Sequence, residues 1–221
     1  MNYNEIIQAV AVYALPVILA ITLHEAAHAY AAKYFGDLTA YAQGRMSLNP
    51  IKHIDPVGTI LIPLVVFALS KGTFFFGYAK PVPVNYSALR NPRKQMAWVA
   101  LAGPASNFVM AFGWMILGIL LVMFGVSEPF VHKVAHAGLV ANLLFFALNM
   151  LPIPPLDGGR IMTSLLPPRL GYKFSRIEPY GFFILIGLMV LGALSYLILP
   201  LVWAAKVLLD LLATPLTIFL T

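Results

Sequence analysis

The chain alternates between long apolar runs and short polar connections. A helix needs about 20 apolar residues to cross a bilayer, and several runs approach or exceed this length. We therefore predict an all-α polytopic membrane protein with about five to six transmembrane helices. Five full spans are predicted, over residues 6–35, 95–124, 132–151, about 180–198 and 200–220, with Pro200 dividing the last two.

Two regions between the predicted spans have a different pattern. Residues 38–49 (LTAYAQGRMSLN) show the short alternation and the Thr and Tyr content of a strand or hairpin. In residues 73–85, Pro81 and Pro83 remove two N–H donors from one edge of an extended segment. Proline confines such a strand to the edge of a sheet, where another peptide could add alongside. The alternative is an extended loop at the membrane interface.

The composition agrees with a membrane location. Of the 221 residues, 61% are hydrophobic and only 10% are charged, whereas about 25% of the residues in a soluble domain are charged. The net charge of +6 comes from cations in short loops beside apolar runs. This distribution is typical of membrane orientation, and no nucleic-acid partner is expected. The absence of cysteine excludes disulfides, thiolate metal sites and cysteine nucleophiles.

The sequence HEAAH at 24–28 places two histidines and a glutamate inside the first apolar run. Residues four apart share one face of a helix, so His24 and His28 can both direct a ring nitrogen at one zinc ion. Glu25 lies one position further round, where it can take the proton of a metal-bound water. The alternative is a pair of interfacial histidines beside an ordinary glutamate, although ionisable groups inside a spanning helix are costly without a function.

A zinc site of this kind needs a third protein ligand and an open fourth position. Few candidates exist, because the chain contains only eight Asp and Glu residues. Asp157 is the strongest, since it follows a predicted span in the proline-broken stretch NMLPIPPLDGGR (149–160). Backbone carbonyls freed by such breaks must be buried in protein or must face a cavity.

Several further motifs surround these two stretches. They are GPASN at 103–107, NPIKHIDPVGT at 49–59 and GYAKPVPVN at 77–85. Together with the histidine and aspartate motifs, they resemble the site-2 protease family of intramembrane zinc metalloproteases. The resemblance covers about residues 20–160. Family members often carry a PDZ or CBS domain, for which this chain has no room, so a compact form is expected.

The resemblance implies a chemistry for the predicted site. One zinc ion per chain is expected on His24, His28 and Asp157, with Glu25 as the general base. Transmembrane proteins are the expected substrates. The amide of Asn149 is implied as a donor to the oxyanion or to the substrate backbone. An ordinary cap at the C-terminal end of a helix is the alternative for Asn149.

Other polar residues near the predicted spans allow two readings. Asn107 either makes one hydrogen bond in a close helix contact or steadies the zinc ligands. His53 and Asp55 are expected to make loop contacts, with a catalytic role as the alternative. His132 and His136 are predicted to be an interfacial pair rather than a second metal site.

The predicted ligands constrain the membrane topology. The HEAAH motif lies in the C-terminal half of its helix and Asp157 follows the helix over 132–151, so both helices must cross in the same direction to share a metal. This requires residues 56–85 to form a re-entrant element that enters and leaves on one side. With the N-terminus outside, 12 of the 14 Lys and Arg residues then face the cytosol, whereas a full span at 56–70 divides them 9 to 5. The positive-inside rule favours the re-entrant arrangement.

These observations predict one membrane-embedded metalloprotease domain over residues 1–221, with a catalytic core at about 6–165 and an extra helical hairpin at about 178–221. The predicted function is hydrolysis of peptide bonds within or next to transmembrane segments in the plasma membrane, with the zinc nearer the cytosolic side. A metal transporter is one alternative, but it predicts further acidic or histidine residues along the spans, which are missing. A catalytically silent scaffold is another, and the intact Glu25 argues against it.

Overall fold

The computed structural model describes residues 3–61 and 80–217, and the regular structure in these two ranges is helical throughout. Short 3₁₀ or π turns cover Pro50–His53, Pro56–Leu61 and Tyr86–Ala88. The all-α prediction is confirmed for the described residues. The α-helices in chain order are α1 (Tyr3–Tyr34), α2 (Thr39–Ala42), α3 (Pro92–Met123), α4 (Pro129–Asn149), α5 (Asp157–Leu165), α6 (Pro168–Ser175), α7 (Glu178–Val190) and α8 (Ala193–Thr217).

Four of the described helices are long and apolar enough to cross a membrane, which makes the protein an integral membrane protein. They are α1 over Ile7–Tyr34, α3, α4, and α8 over Ala193–Leu216. Helices α1, α3 and α4 pack against one another, α5 packs on α3, and α8 packs on α4. The predicted helices over 6–35, 95–124 and 132–151 are confirmed, with their ends shifted by a few residues.

Small side chains form the contacts among α1, α3 and α4. Ala32 of α1 is buried in one cluster with Val99 of α3, and Ala111 of α3 is buried in another with Leu143 of α4. Gly138 of α4 lies so close to Trp114 of α3 that a β-carbon there would overlap the indole ring. Helices in lipid associate largely through van der Waals contact, and small residues let their backbones approach closely. This close approach brings the polar side chains of the three helices within hydrogen-bonding distance.

The last two predicted spans are divided at Gly192 rather than at Pro200. Gly192 has a φ of +70°, a left-handed conformation that glycine adopts without steric cost. Helix α8 continues through Pro200, because neighbouring groups can compensate for a proline inside a membrane helix. Helix α7 has 13 residues and rises about 20 Å, less than the hydrocarbon core of about 30 Å. Of the five full spans predicted, four are therefore present among the described residues.

The strand or hairpin predicted at 38–49 is wrong. Residues Thr39–Ala42 form the short helix α2 instead. The Asp37 carboxylate accepts hydrogen bonds from Thr39 N at 2.9 Å and from Thr39 Oγ1 at 2.5 Å. Such local bonds from Asp favour a turn over an extended strand. The chain then turns at Gly44, whose φ is +62°.

Residues 80–85 have no regular secondary structure and make no strand ladder with any other described residue. Pro81 and Pro83 favour an extended backbone here, and Asn85 is extended at the end of the segment. Their N–H groups are used in other contacts. Lys80 N donates to His53 O at 3.0 Å, and Val82 N donates to Glu25 Oε2 at 2.7 Å. The predicted edge strand is therefore an extended segment whose Lys80 and Val82 donors are already bound within the molecule.

The chain leaves α1 and enters α3 at the same end of the helix bundle. Arg90, just before α3, donates through its backbone N to Phe35 O at 3.1 Å and through Nη2 to Tyr34 O at 2.6 Å. Asn85 N donates to Asp37 Oδ2 at 2.7 Å. The re-entrant element was predicted for 56–85, and its central part, residues 62–79, lies outside the described residues.

Cysteine labelling tests this arrangement directly, because the chain has no native cysteine. Cysteines introduced at Ser47 and Ser87 should react with a membrane-impermeant thiol reagent from the same side, since both lie near the shared end of α1 and α3. A cysteine at Ser127, in the exposed connection between α3 and α4, should react only from the opposite side. Labelling of Ser47 and Ser87 from opposite faces would contradict the arrangement and separate the predicted zinc ligands.

Candidate metal centre

Helix α1 presents two histidines on one buried face. His24 and His28 are 8% and 7% exposed, and their rings meet edge to face with centroids 4.7 Å apart. The spacing of four residues places both side chains on the same side of the helix. Their Nε2 atoms are 3.1 Å apart.

The opposite nitrogen of each ring is fixed by a neighbour from α3. His28 Nδ1 donates to the backbone carbonyl of Val99 at 2.8 Å. His24 Nδ1 lies 2.6 Å from Asn107 Oδ1. Because a carbonyl oxygen only accepts, each Nδ1 is assigned as the protonated nitrogen, and each neutral ring then has a lone pair on Nε2.

Asn107 is itself oriented by a second amide. Its Nδ2 donates to Ala20 O at 3.2 Å and to Asn142 Oδ1 at 3.0 Å. Asn142 Nδ2 donates in turn to Gly138 O at 2.8 Å. Both amides are completely buried, so their orientation is set by these bonds rather than by water. Asn107 therefore contacts a predicted zinc ligand, as one of its two readings expected. Asn142 was not identified from the sequence.

Asp157 reaches the two histidines from the first turn of α5. Its Oδ2 lies 3.1 Å from His24 Nε2 and 3.2 Å from His28 Nε2. The helix starts next to the proline-broken loop, and β-carbons at Gly158 and Gly159 would overlap the loop backbone between Met150 and Pro154. The two glycines therefore allow α5 to begin close enough for Asp157 to reach the histidines.

The three converging atoms have the geometry of a metal site. His24 Nε2, His28 Nε2 and Asp157 Oδ2 are 3.1–3.2 Å apart, and Oδ2 is buried without a hydrogen-bond partner in the described residues. A tetrahedral zinc ion with bonds of about 2.0–2.1 Å holds its ligand atoms about 3.3–3.4 Å apart. Lone pairs this close repel one another unless a cation lies between them. The donor set therefore fits a metal ion, and it is the one such group among the described residues.

Glu25 lies beside this cluster and is half-buried. Its Oε2 accepts the hydrogen bond from Val82 N at 2.7 Å, so the extended segment 80–85 runs next to the candidate site. This contact could not be predicted from the sequence, because 57 residues separate the two partners.

Arg160 is a second residue that sequence reasoning missed. Its Nη1 is 3.9 Å from Asp157 Oδ1, on the carboxylate oxygen that does not face the histidines. Its Nη2 is 3.9 Å from Glu178 Oε1, and its guanidinium lies 5.8 Å from the centre of the Tyr86 ring. Burial raises the pKa of Tyr86, with Arg160 acting in the opposite direction. The available signal was the spacing Asp157-x-x-Arg160, which places both residues on one face of a helix.

Asn149 and His53 make their hydrogen bonds outside the three-atom cluster. Asn149 Nδ2 donates to Phe145 O at 3.0 Å, one turn back in α4. His53 is buried, and its Nε2 donates to Ser47 O at 2.8 Å.

Asp55 has a local contact as well. Its Oδ1 accepts from Val57 N at 3.0 Å and from Gly58 N at 2.6 Å. His132 and His136 are at the start of α4, and His132 Nε2 donates to Val126 O at 2.7 Å.

Comparison with known proteins identifies the family of the chain. Residues 125–192 match the family described as "Peptidase family M50". The chain is 40% identical over 197 residues to "Putative zinc metalloprotease YwhC" of Bacillus subtilis, a match that covers 87% of this chain and 86% of that protein.

Two further relatives have names of the same kind. "Putative zinc metalloprotease Rip2" of Mycolicibacterium smegmatis is 30% identical over 185 residues, covering 80% of this chain and 66% of that protein. "Putative zinc metalloprotease MJ0611" of Methanocaldococcus jannaschii is 36% identical over 64 residues, covering 29% of this chain and 31% of that protein. No solved structure gives a significant match.

The chain belongs to peptidase family M50. The resemblance to the site-2 proteases is thereby confirmed, and the protein is an intramembrane zinc metalloprotease of this family. Asn149 and Asp157 lie inside the range matched to M50, whereas the HEAAH motif lies before it. In the folded M50 protease, His24 and His28 of this motif lie within 3.2 Å of Asp157.

Gly103 provides a test of how closely α3 must approach the histidines. A β-carbon at this position would overlap the rings of both His24 and His28. We expect Gly103→Ala to weaken zinc binding by about tenfold or more, since it displaces two of the three proposed ligands. Gly113→Ala is the matched control, because a β-carbon there meets no atom within 4 Å. Zinc titration of both variants is the measurement, and equal affinities would mean that the rings are not held where the structure has them.

Proposed function

We propose that this M50 protease hydrolyses peptide bonds within or next to transmembrane segments of membrane proteins, using one zinc ion per chain bound by His24, His28 and Asp157. The observation that carries the proposal is the convergence of two imidazole nitrogens and one carboxylate oxygen at 3.1–3.2 Å. Two neutral imidazoles and one carboxylate leave the fourth position of a tetrahedral ion open, as catalytic zinc requires.

A zinc ion held by these three residues would supply Lewis acidity, which lowers the pKa of a bound water molecule and polarises a carbonyl group. Glu25 is the proposed general base. It accepts a proton as the water oxygen bonds to the carbonyl carbon, and it gives that proton to the amine nitrogen as the C–N bond breaks. Glu25 is suited to this task because it is half-buried beside the cluster and because one of its oxygens is anchored by Val82 N.

Asn149 is the proposed donor to the substrate oxygen or backbone. Its Nδ2 already donates one hydrogen bond to Phe145 O. A side-chain amide carries two N–H groups, so one remains for a substrate. The position of Asn149 at the end of α4, eight residues before Asp157, supports this role.

A substrate helix must unwind locally before its backbone can reach the buried ligands. A helical segment hides its carbonyl groups in internal hydrogen bonds, whereas general acid–base catalysis needs the reacting atoms within hydrogen-bonding reach. The loop over 152–156 lacks regular helical structure next to Asp157. We assign to it the lining of the polar path by which water enters.

The proposed membrane placement follows from the charges and from the shared end of α1 and α3. With residues 56–85 as a re-entrant element and the N-terminus outside, 12 of the 14 Lys and Arg residues face the cytosol. The candidate site then lies nearer the cytosolic side of the plasma membrane. The chain forms one metalloprotease domain over 1–221, with a catalytic core at about 6–165 and an additional helical hairpin at about 178–221.

Metal analysis tests the ligand set. Purified protein should contain close to one zinc ion per chain, and Asp157→Ala should lose most of it, because two imidazoles alone hold zinc weakly. Asp210→Ala is the matched control, since this carboxylate is paired with Lys206 on α8 and is exposed. Full zinc retention by Asp157→Ala would identify a different third ligand.

Kinetics on a model transmembrane substrate test the general base. Glu25→Gln should keep zinc and fold while hydrolysis falls by about 100-fold or more, because an amide cannot accept the proton. Glu128→Gln, at the start of α4, should cleave like the wild type. Near wild-type cleavage by Glu25→Gln would exclude it as the base, and loss of zinc would give it a structural role instead.

A further inference from the structure

Asp37 is a buried carboxylate that the proposed chemistry does not use. It is 1% exposed. Its Oδ1 accepts from Thr39 N and Thr39 Oγ1, and its Oδ2 accepts from Asn85 N at 2.7 Å. A buried carboxylate needs such donors to offset its desolvation. One of them comes from the extended segment 80–85, which is 48 residues away in the chain.

Asp37 is rigidly attached to the helix that carries the HEAAH motif. Helix α1 ends at Tyr34, and Gly36 follows with a φ of +111°. Asp37 N donates back to Ala32 O at 2.9 Å, and Gly36 N donates to Lys33 O at 3.1 Å. This pairing of a left-handed glycine with a backward hydrogen bond is a common helix ending that fixes the direction of the chain.

The same extended segment also contacts Glu25. Val82 N donates to Glu25 Oε2 at 2.7 Å, three residues before Asn85 N donates to Asp37. The Val82 side chain is buried and packs with Ala29 of α1 and Ala40 of α2. Two carboxylates fixed to one helix therefore hold two N–H groups of one short segment.

We propose that Asp37 is a positioning residue for Glu25, acting through the backbone hydrogen bonds of Asn85 N and Val82 N. By holding Asn85 N, Asp37 keeps Val82 N directed at Glu25 Oε2, which leaves Oε1 free to take and return the proton. The proposal rests on the proposed role of Glu25 as the general base. A glutamate has several rotatable side-chain bonds, so an anchored oxygen restricts it to the orientation that proton transfer needs.

This proposal makes a prediction about backbone protection that does not depend on activity. Asp37→Asn preserves the size of the side chain but replaces one acceptor oxygen with a donor group. The remaining oxygen is expected to stay beside Thr39, where it accepts two hydrogen bonds, so the new NH₂ group faces Asn85 N and that donor loses its acceptor. We expect the Val82 amide to exchange with solvent at least about tenfold faster in Asp37→Asn, because the segment is no longer held at Asn85. A residue that only caps the end of α1 would leave the protection of Val82 unchanged.

Kinetics separate positioning of Glu25 from substrate docking on the segment. Val82→Pro removes the N–H that contacts Glu25, and Val84→Pro is the matched control, because Val84 N makes no hydrogen bond within the described residues. We expect Asp37→Asn and Val82→Pro each to lower kcat by about 10- to 100-fold, with KM within about twofold of the wild type and about one zinc ion per chain. Val84→Pro should retain kcat within about threefold. The double variant should be no slower than the slower single variant, because both changes act on the same contact.

Three results would overturn the proposal. Wild-type kcat and Val82 protection in Asp37→Asn would show that the contact does not position Glu25. Equal increases of KM in Val82→Pro and Val84→Pro would make the segment a substrate-docking element instead. Loss of zinc by Asp37→Asn, with unchanged kcat per bound zinc, would assign Asp37 a purely structural role.

The experiment remains informative if Asp37→Asn fails to fold. Asn85→Pro removes the same hydrogen bond from its donor side and leaves the carboxylate in place, so it must reproduce the lower kcat and the faster exchange of Val82. The proposed function is judged separately, by whether the wild type cleaves a membrane substrate and Glu25→Gln does not. A wild type that cleaves, together with an equally active Asp37→Asn, refutes the positioning role and leaves the protease function intact.

Discussion

The structure depends on holding two imidazoles and a carboxylate together inside an apolar bundle. His24, His28 and Asp157 are each less than 10% exposed. Groups of this kind are costly to bury unless each polar atom has a partner. The Nδ1 atoms have theirs in Val99 O and Asn107 Oδ1. The three remaining atoms face one another, and a cation among them would remove their repulsion and satisfy all three at once.

Close helix contact makes this convergence possible, and glycine makes the contact possible. A β-carbon at Gly103 would overlap the rings of His24 and His28, and one at Gly158 would overlap the carbonyls of Met150 and Leu151. Gly181 of α7 has the same relation to the carbonyl of Pro154, so α7 lies directly against the loop that precedes Asp157. In a membrane, residues with little or no side chain favour helix packing, because they allow backbone atoms to come into contact. The proline-broken loop is thereby held from both sides.

The contacts that orient the site extend well beyond its three central atoms. Asn107 and Asn142 link α1, α3 and α4 through buried amides. The positive charge of Arg160 lies beside Asp157 Oδ1, the carboxylate oxygen that faces away from the histidines. Buried polar networks restrict geometry strongly, because any movement leaves a group without a partner. The chain that connects α1 to α3 takes part as well, since its residues 80–85 run beside Glu25. A connection between helices is thus part of the candidate site.

The sequence by itself determined the membrane class, the first three long helices, the HEAAH motif and Asp157 as its partner. These follow from local properties: the length of an apolar run, the spacing of residues on one helical face and the chemistry of a few ionisable side chains. Only the tertiary structure decided the break at Gly192, the helical turn in place of a strand after Asp37, and the contacts of Asn142 and Val82. The contacts of Val82 and Asn142 depend on partners that are distant in the chain. The turn after Asp37 depends on competition between local hydrogen bonds and an extended strand. The break at Gly192 depends on a left-handed backbone conformation that the length of an apolar run does not reveal. Side-chain type predicts which atoms can bind, but packing decides which of them meet.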